Sequence, residues 1–279
     1  MLNILYIKEG VFMNKFFELL KYLMLAVIQG VGEVFPISSS GHLILFGKLF
    51  DVDGEGVGIE LILHLASLLA LLIYYRKTIM LLIRGNYEYI FNKNKDKSNE
   101  YKFVKGMIIS LFPTCIVGCF VNDYLETFIK YPILIGVFLL LNAFNLFLIR
   151  NKGGEKGADE LSFWSFVKIG MGQCMGLVPG FSRSGSALSM CYREKMNKED
   201  SERFTFFMLF PLVLGSVLLN LGDFSFSKEG WILVCISFVV CFACTLFSIG
   251  VLGKIIKGNK LHYFAYYSFV IGVIVMFIG

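Results

Sequence analysis

The chain has 279 residues, 56% of them hydrophobic and only 17% charged, with a mean hydropathy of +0.70, against roughly 45–50% apolar and about 25% charged in an ordinary soluble domain. The balance of 26 Lys and Arg against 21 Asp and Glu leaves +5, too scattered for a nucleic-acid surface, so that class of partner is excluded along with a soluble enzyme. The composition predicts an all-α polytopic membrane protein, one membrane domain over residues 1–279.

In chain order, Lys8 and Glu9 precede a second Met13 followed by Asn14 and Lys15, and no small-residue cleavage site follows the first apolar run. No cleaved signal peptide is expected, and Met13 is a candidate start. Residues 16–50 are apolar but interrupted by Glu33, Pro36, the serines Ser38, Ser39 and Ser40, and His42. Full-length apolar spans are expected at Ile59 to Tyr75, Phe103 to Val121, Pro132 to Ile149, Phe204 to Gly222, Trp231 to Leu252 and Tyr263 to Gly279. A second interrupted stretch, residues 163–192, carries Pro179, Gly180, Ser182, Arg183, Ser184 and Gly185. Irregular backbone at membrane depth is tolerated only where protein or a water-filled cavity satisfies its amides and carbonyls. Both interrupted stretches therefore read as re-entrant hairpins whose two half-helices meet at a buried turn. The seven cysteines sit almost wholly in apolar segments and read as small packing residues, Cys241 and Cys244 included.

Basic residues orient the chain, because short cytoplasmic loops collect Lys and Arg. Arg76, Lys77, Arg84, Lys93, Lys95, Lys97 and Lys102 place the loop after the first span inside, whereas Asn122 to Tyr131, with Asp123, Glu126 and Lys130, lies outside. Arg150, Lys152 and Lys156, then Arg193, Lys195, Lys198 and Arg203, then Lys254, Lys257 and Lys260 fall inside, and Asp223 and Glu229 outside. The first hairpin, flanked by Asp51, Asp53 and Glu55, enters from outside, and the second from the cytoplasm.

The two hairpins also resemble each other at an offset of 144, the separation of Gln29 from Gln173: Gly32 falls on Gly176, Val34 on Val178, Ser38 on Ser182, Ser40 on Ser184 and Gly41 on Gly185. Residues 13–150 and 161–279 are read as two repeats, each a hairpin (16–50, 163–192) plus three spans. An odd number of crossings makes the second copy inverted, with the hairpin tips meeting near the midplane.

An ionisable group at the bilayer centre costs about 2.5–3.5 kcal/mol on insertion scales, so it is functional and paired by default. Glu33 and Arg183 qualify, and the repeat maps Arg183 onto Ser39, six residues beyond Glu33. Hydroxyls and glycines where a half-helix begins expose free N–H groups and a positive dipole end, a seat for anions made here by Ser38, Ser40, Gly41, Ser182, Ser184 and Gly185. Arg183 adds a fork suited to phosphate. Glu33 would oppose an anion unless it acts as a base or holds a divalent cation. His42, three residues after Ser39, is placed to handle a proton, and the set describes phosphoryl chemistry. His64 and His262 read as structural.

The segment Gln29-Gly-Val-Gly-Glu-Val-Phe-Pro-Ile-Ser-Ser-Ser-Gly-His42 and the segment Pro179-Gly-Phe-Ser-Arg-Ser-Gly185 resemble the two signature motifs of the undecaprenyl-pyrophosphate phosphatase family, the bacitracin-resistance proteins. The resemblance runs over nearly the whole chain from Met13. It implies hydrolysis of undecaprenyl pyrophosphate to undecaprenyl phosphate, the recycled lipid carrier of bacterial cell-wall synthesis. By motif position it implies Glu33 as the essential acid, Ser39 as candidate nucleophile, His42 as the motif histidine and Arg183 as the phosphate-binding arginine. Where many members carry glutamate this chain has Gln29, a weaker, neutral ligand beside Glu33 for Mg²⁺ or Ca²⁺. The expected partners are a polyprenyl pyrophosphate and membrane lipids, a homodimer is compatible, and the expected location is the bacterial plasma membrane with the site open to the outer face. A transporter or flippase of a lipid phosphate or organic anion is the competing class, for which Glu33, Ser39 and His42 would be superfluous.

Overall fold

The structure is a computed structural model that describes the backbone of residues 2–50, 56–121, 130–150, 152–219 and 228–278. Eleven α-helices and no strand occur among the described residues: α1 (Leu2–Gly32), α2 (Ser39–Phe50), α3 (Gly56–Tyr74), α4 (Arg76–Phe91), α5 (Ser98–Val121), α6 (Pro132–Leu148), α7 (Phe163–Met175), α8 (Arg183–Arg193), α9 (Lys198–Leu219), α10 (Lys228–Lys257) and α11 (His262–Ile278). The protein is all-α and polytopic. Asp51, Asp53, Glu55, Asn122, Asp123, Glu126 and Asp223, used above to orient loops, lie outside the described residues.

Each of the six apolar segments forms a helix over its described residues. Three stretches, Lys95–Phe120, Lys198–Leu218 and Gly230–Lys257, are long and apolar enough to cross a membrane, and Pro132–Leu148 and His262–Phe277 are shorter apolar helices. The first span differs from expectation: Gly58–Tyr74 bends by 72° into Arg76–Phe91, so the expected basic loop contains a helix. That helix, α4, satisfies its own backbone, pairs Arg84 Nε with Glu88 Oε1 one turn on at 2.9 Å, and leaves Met80, Ile83, Tyr87 and Phe91 exposed. Its charges lower the mean hydropathy without disturbing the helical period, as in a helix lying at the interface.

Both interrupted stretches are helix, break, helix: α1 stops at Gly32 and α2 begins at Ser39, and α7 stops at Met175 and α8 begins at Arg183. The breaks need backbone that L-residues rarely adopt, with Ser38 at φ 69° and Gly180 at φ 99°. α1 packs on α10 and α7 on α5, while α6 packs on α11. Small residues allow these approaches: a Cβ on Gly30 would stand 2.6 Å from the Cys241 carbonyl oxygen, and one on Gly170 would stand 2.1 Å from that of Ser110. Gly136 and Gly272 meet reciprocally, each lying 3.0 Å from the other's carbonyl oxygen by the same measure.

The tips meet in the same paired fashion. A Cβ on Gly41 would stand 3.0 Å from Gly180 N, and one on Gly185 would stand 2.9 Å from Pro36 Cβ, contacts related by the 144-residue offset. Gly41→Ala and Gly185→Ala should each destabilise by about 1–3 kcal/mol, the usual range for overpacking. Gly47, with nothing within 4 Å of its Cβ position, should accept alanine without loss. Thermal unfolding in detergent checks this, and equal losses at 41 and 47 would contradict the seam.

Candidate active site

The site is built where the two breaks touch. Ser38, N-capping α2, accepts hydrogen bonds at its Oγ from Gly41 N (3.3 Å) and, across the seam, from Gly180 N (3.1 Å). Ser182 caps α8 in the same way, its Oγ accepting from Gly185 N at 3.1 Å. Asn142, in the middle of α6, is fully buried and links both turns: its Nδ2 donates to the Pro36 carbonyl (3.0 Å) and its Oδ1 accepts from Ser182 N (3.2 Å). The irregular backbone thus finds partners inside the protein, the condition for a break at membrane depth.

Glu33 follows the last turn of α1, 5% exposed, and its carboxylate collects groups from four helices, α1, α2, α3 and α8. Oε2 accepts from Ser39 Oγ (3.0 Å) and from Gln29 Nε2 (3.0 Å). Arg183 Nη2, from the other hairpin, stands 3.6 Å from Oε1, and His64 Nδ1 on α3 stands 3.4 Å from Oε2. Gly32, Glu33, Ser38, Ser39, Ser40, Phe181, Ser182, Arg183 and Ser184 line one small cleft. A hydroxyl bonded to a carboxylate, beside an arginine and the first turns of two helices, is equipped for attack on a phosphorus whose oxygens need donors.

The expected residues are distributed as follows. Glu33, Ser39, Arg183, Ser38, Ser40, Ser182 and Ser184 come together in one cleft. Gly41 and Gly185, expected among the phosphate-binding groups, form the seam behind it. His42 lies beside that seam: its Nδ1 faces the Ser38 carbonyl at 2.8 Å, and its Nε2 faces Tyr267 OH at 3.0 Å with the two rings stacked at 5.6 Å. Nδ1 must donate to that carbonyl, so Nε2 accepts from the tyrosine hydroxyl and both ring nitrogens are engaged. The group that holds the Ser39 proton is Glu33.

His64, expected to be structural, reaches Gln29, Glu33 and Arg183. The signal was present: an ionisable residue in an apolar span is functional by default, and the span carries two, Glu60 and His64. Asn142 gave a similar signal as an amide in the Pro132 span. His262 makes ring contacts with Tyr263 and Tyr266, in keeping with a structural role.

Two oxygens at the centre of the site, Glu33 Oε1 and Gln29 Oε1, are buried without a hydrogen-bond partner. Hard oxygen donors of this kind suit Mg²⁺ or Ca²⁺. No cluster of three or more His, Cys, Asp or Glu side chains occurs among the described residues, so a cation here would rely on oxygens from substrate and water for the rest of its shell.

The family model described as bacitracin resistance protein BacA matches residues 22–274. Among similar proteins are the undecaprenyl-diphosphatase of Oceanobacillus iheyensis, 34% identical over 96% of this chain and 98% of that protein, and undecaprenyl-diphosphatase 2 of Bacillus thuringiensis, 33% identical over 95% and 99%. Undecaprenyl-diphosphatase 1 of Shouchella clausii is 33% identical over 92% of this chain and 95% of its own.

Proposed function

The chain belongs to the bacitracin resistance protein BacA family, and from that membership and the Glu33 centre we infer that it is an undecaprenyl-diphosphatase. It hydrolyses undecaprenyl diphosphate to undecaprenyl phosphate and inorganic phosphate, recycling the lipid carrier of cell-wall synthesis and conferring resistance to bacitracin. The observation that carries the chemistry is the 3.0 Å hydrogen bond from Ser39 Oγ to a buried carboxylate that also faces Arg183.

In this reading Ser39 Oγ attacks the terminal phosphorus as its proton passes to Glu33 Oε2. The bond from that phosphorus to the bridging oxygen breaks, and undecaprenyl phosphate leaves with the electron pair. Water then attacks the phosphoserine, Glu33 returns its proton to Ser39 Oγ, and phosphate departs. Arg183 and the first-turn N–H groups of α2 and α8 balance charge on the non-bridging oxygens. His42 positions the Ser38 turn. Gln29 and Glu33 would hold a divalent cation through their unpartnered Oε1 atoms, and a bound cation supplies charge neutralisation at the phosphate oxygens. Purified protein should release phosphate from undecaprenyl diphosphate and lose that activity on chelation of divalent cations. Glu33→Ala and Arg183→Ala should each lower the rate by at least about 10²-fold, the scale of losing one charge-stabilising group; wild-type-like activity in either would rule this centre out.

The cleft opens to the outer face in this reading. Loops 76–102, 150–160 and 193–203, which hold most of the basic residues, gather at one end: Gly154 N donates to the Met196 carbonyl (3.0 Å) and Ala158 N to Asp200 Oδ2 (2.9 Å), while α5, which begins at Ser98, packs on Ala158–Glu160. That end is cytoplasmic by the distribution of Lys and Arg. A Ser40→Cys variant on a cysteine-free background should react with a membrane-impermeant thiol reagent added to intact cells, with protection by pyrophosphate. Reaction only after the inner face is exposed would reverse the orientation.

A further inference from the structure

Gln29 and His64 carry an inference that rests on this reading of the site and extends it to the groups that seat the terminal phosphate. The side-chain nitrogen of Gln29 lies 3.0 Å from Glu33 Oε2 and 2.8 Å from His64 Nδ1. An amide nitrogen carries two hydrogens and accepts nothing, so one goes to the carboxylate and the other to the ring. With Nδ1 accepting from that amide, the ring N–H lies at Nε2.

His64 Nε2 in turn lies 3.5 Å from Arg183 Nη2. A guanidinium has no lone pair to offer, and a protonated Nε2 has none either, so the two cannot bond to each other. Arg183 Nη2 also faces Glu33 Oε1 at 3.6 Å, whereas His64 Nε2–H finds no acceptor among the described residues, and beside the remaining N–H groups of the guanidinium it marks a place for an anion. Access agrees, since the His64 and Arg183 side chains are 17% and 20% exposed, whereas the Glu33 side chain behind them is 4% exposed and Gln29 is fully buried.

We propose that His64 is a phosphate-binding residue of this site, its Nε2–H and the Arg183 fork together seating the terminal phosphate, and that Gln29 is the positioning residue that fixes the imidazole tautomer presenting that donor. The role of position 29 follows. A glutamate there would offer Nδ1 an acceptor instead of a donor, draw the ring proton to Nδ1 and turn the Nε2 lone pair toward the phosphate oxygens. The amide is the side chain that suits a histidine at position 64.

The chain has three histidines, so ¹⁵N-histidine labelling of the purified protein gives a readable spectrum, with the His64 signals identified by their loss in His64→Gln. The expected spectrum has His64 Nδ1 unprotonated and Nε2 protonated, an Nε2 signal that shifts when inorganic pyrophosphate is added, and a reversed assignment in Gln29→Glu. Kinetically, His64→Leu should raise both KM for undecaprenyl diphosphate and the inhibition constant of pyrophosphate by about tenfold or more, the equivalent of one hydrogen bond to a charged group. His64→Gln, which keeps an N–H, should restore most of that loss. An Nδ1-protonated ring in the wild type, or unchanged pyrophosphate inhibition in His64→Leu, would overturn the assignment. Absence of phosphate release by the wild type would instead count against the enzymatic reading, while the spectrum and pyrophosphate binding would still decide the role of His64.

Discussion

A carboxylate held 5% exposed within a membrane protein has to be compensated on every side, and the arrangement around Glu33 follows from that requirement. Part of the compensation is local, since Gln29 and Ser39 belong to the same hairpin. The opposite charge comes from Arg183 in the other hairpin, more than half the chain away in sequence. Stripping one partner from a buried ion pair typically costs about 3–5 kcal/mol, so neither hairpin has a stable tip without the other. The small residues of the seam, the two serine caps and Asn142 exist because that pairing draws irregular backbone to a place where water cannot serve it.

The same requirement explains how stability and reactivity share residues. Ser38 and Ser182 spend their oxygens on N–H groups at the start of α2 and α8, which frees Ser39 Oγ to donate to Glu33. The left-handed Ser38 turns the chain sharply enough for α2 to begin at Ser39, against Gly32, where a Cβ would stand 2.9 Å from Ser39 Cα. Gly176 and Arg183 repeat this contact at 2.4 Å, which brings the arginine to the equivalent place in the second break. Ser39 and Arg183 therefore occupy matching positions of two similar turns.

Much of this was legible in the sequence. Glu33 and Arg183 stood out because charge is expensive in lipid, and the breaks stood out because serine, glycine and proline interrupt apolar runs. Side-chain direction was not legible. His42 is one turn beyond Ser39 on α2, yet its ring swings to Tyr267, a residue of the last helix that no local pattern could connect to it. His64 reaches Glu33 across helices, a long-range contact that the apolar residues flanking it, Leu63 and Leu65, do not announce. Asn142 was hidden for the same reason. Helix α4 was missed because average hydropathy answers whether a segment enters lipid, whereas helicity is decided by periodicity and backbone satisfaction.

The claim on which all of this depends is that Glu33 and Arg183 are energetically coupled across the seam, and a double-mutant cycle on stability measures that coupling without relying on activity. Thermal or denaturant unfolding of Glu33→Gln, Arg183→Gln and the double variant in the same detergent should show the double variant losing less than the summed losses of the singles, with a coupling of about 1 kcal/mol or more. Additive losses would mean that the two charges do not share one cavity, and the account of the centre built on their pairing would be wrong.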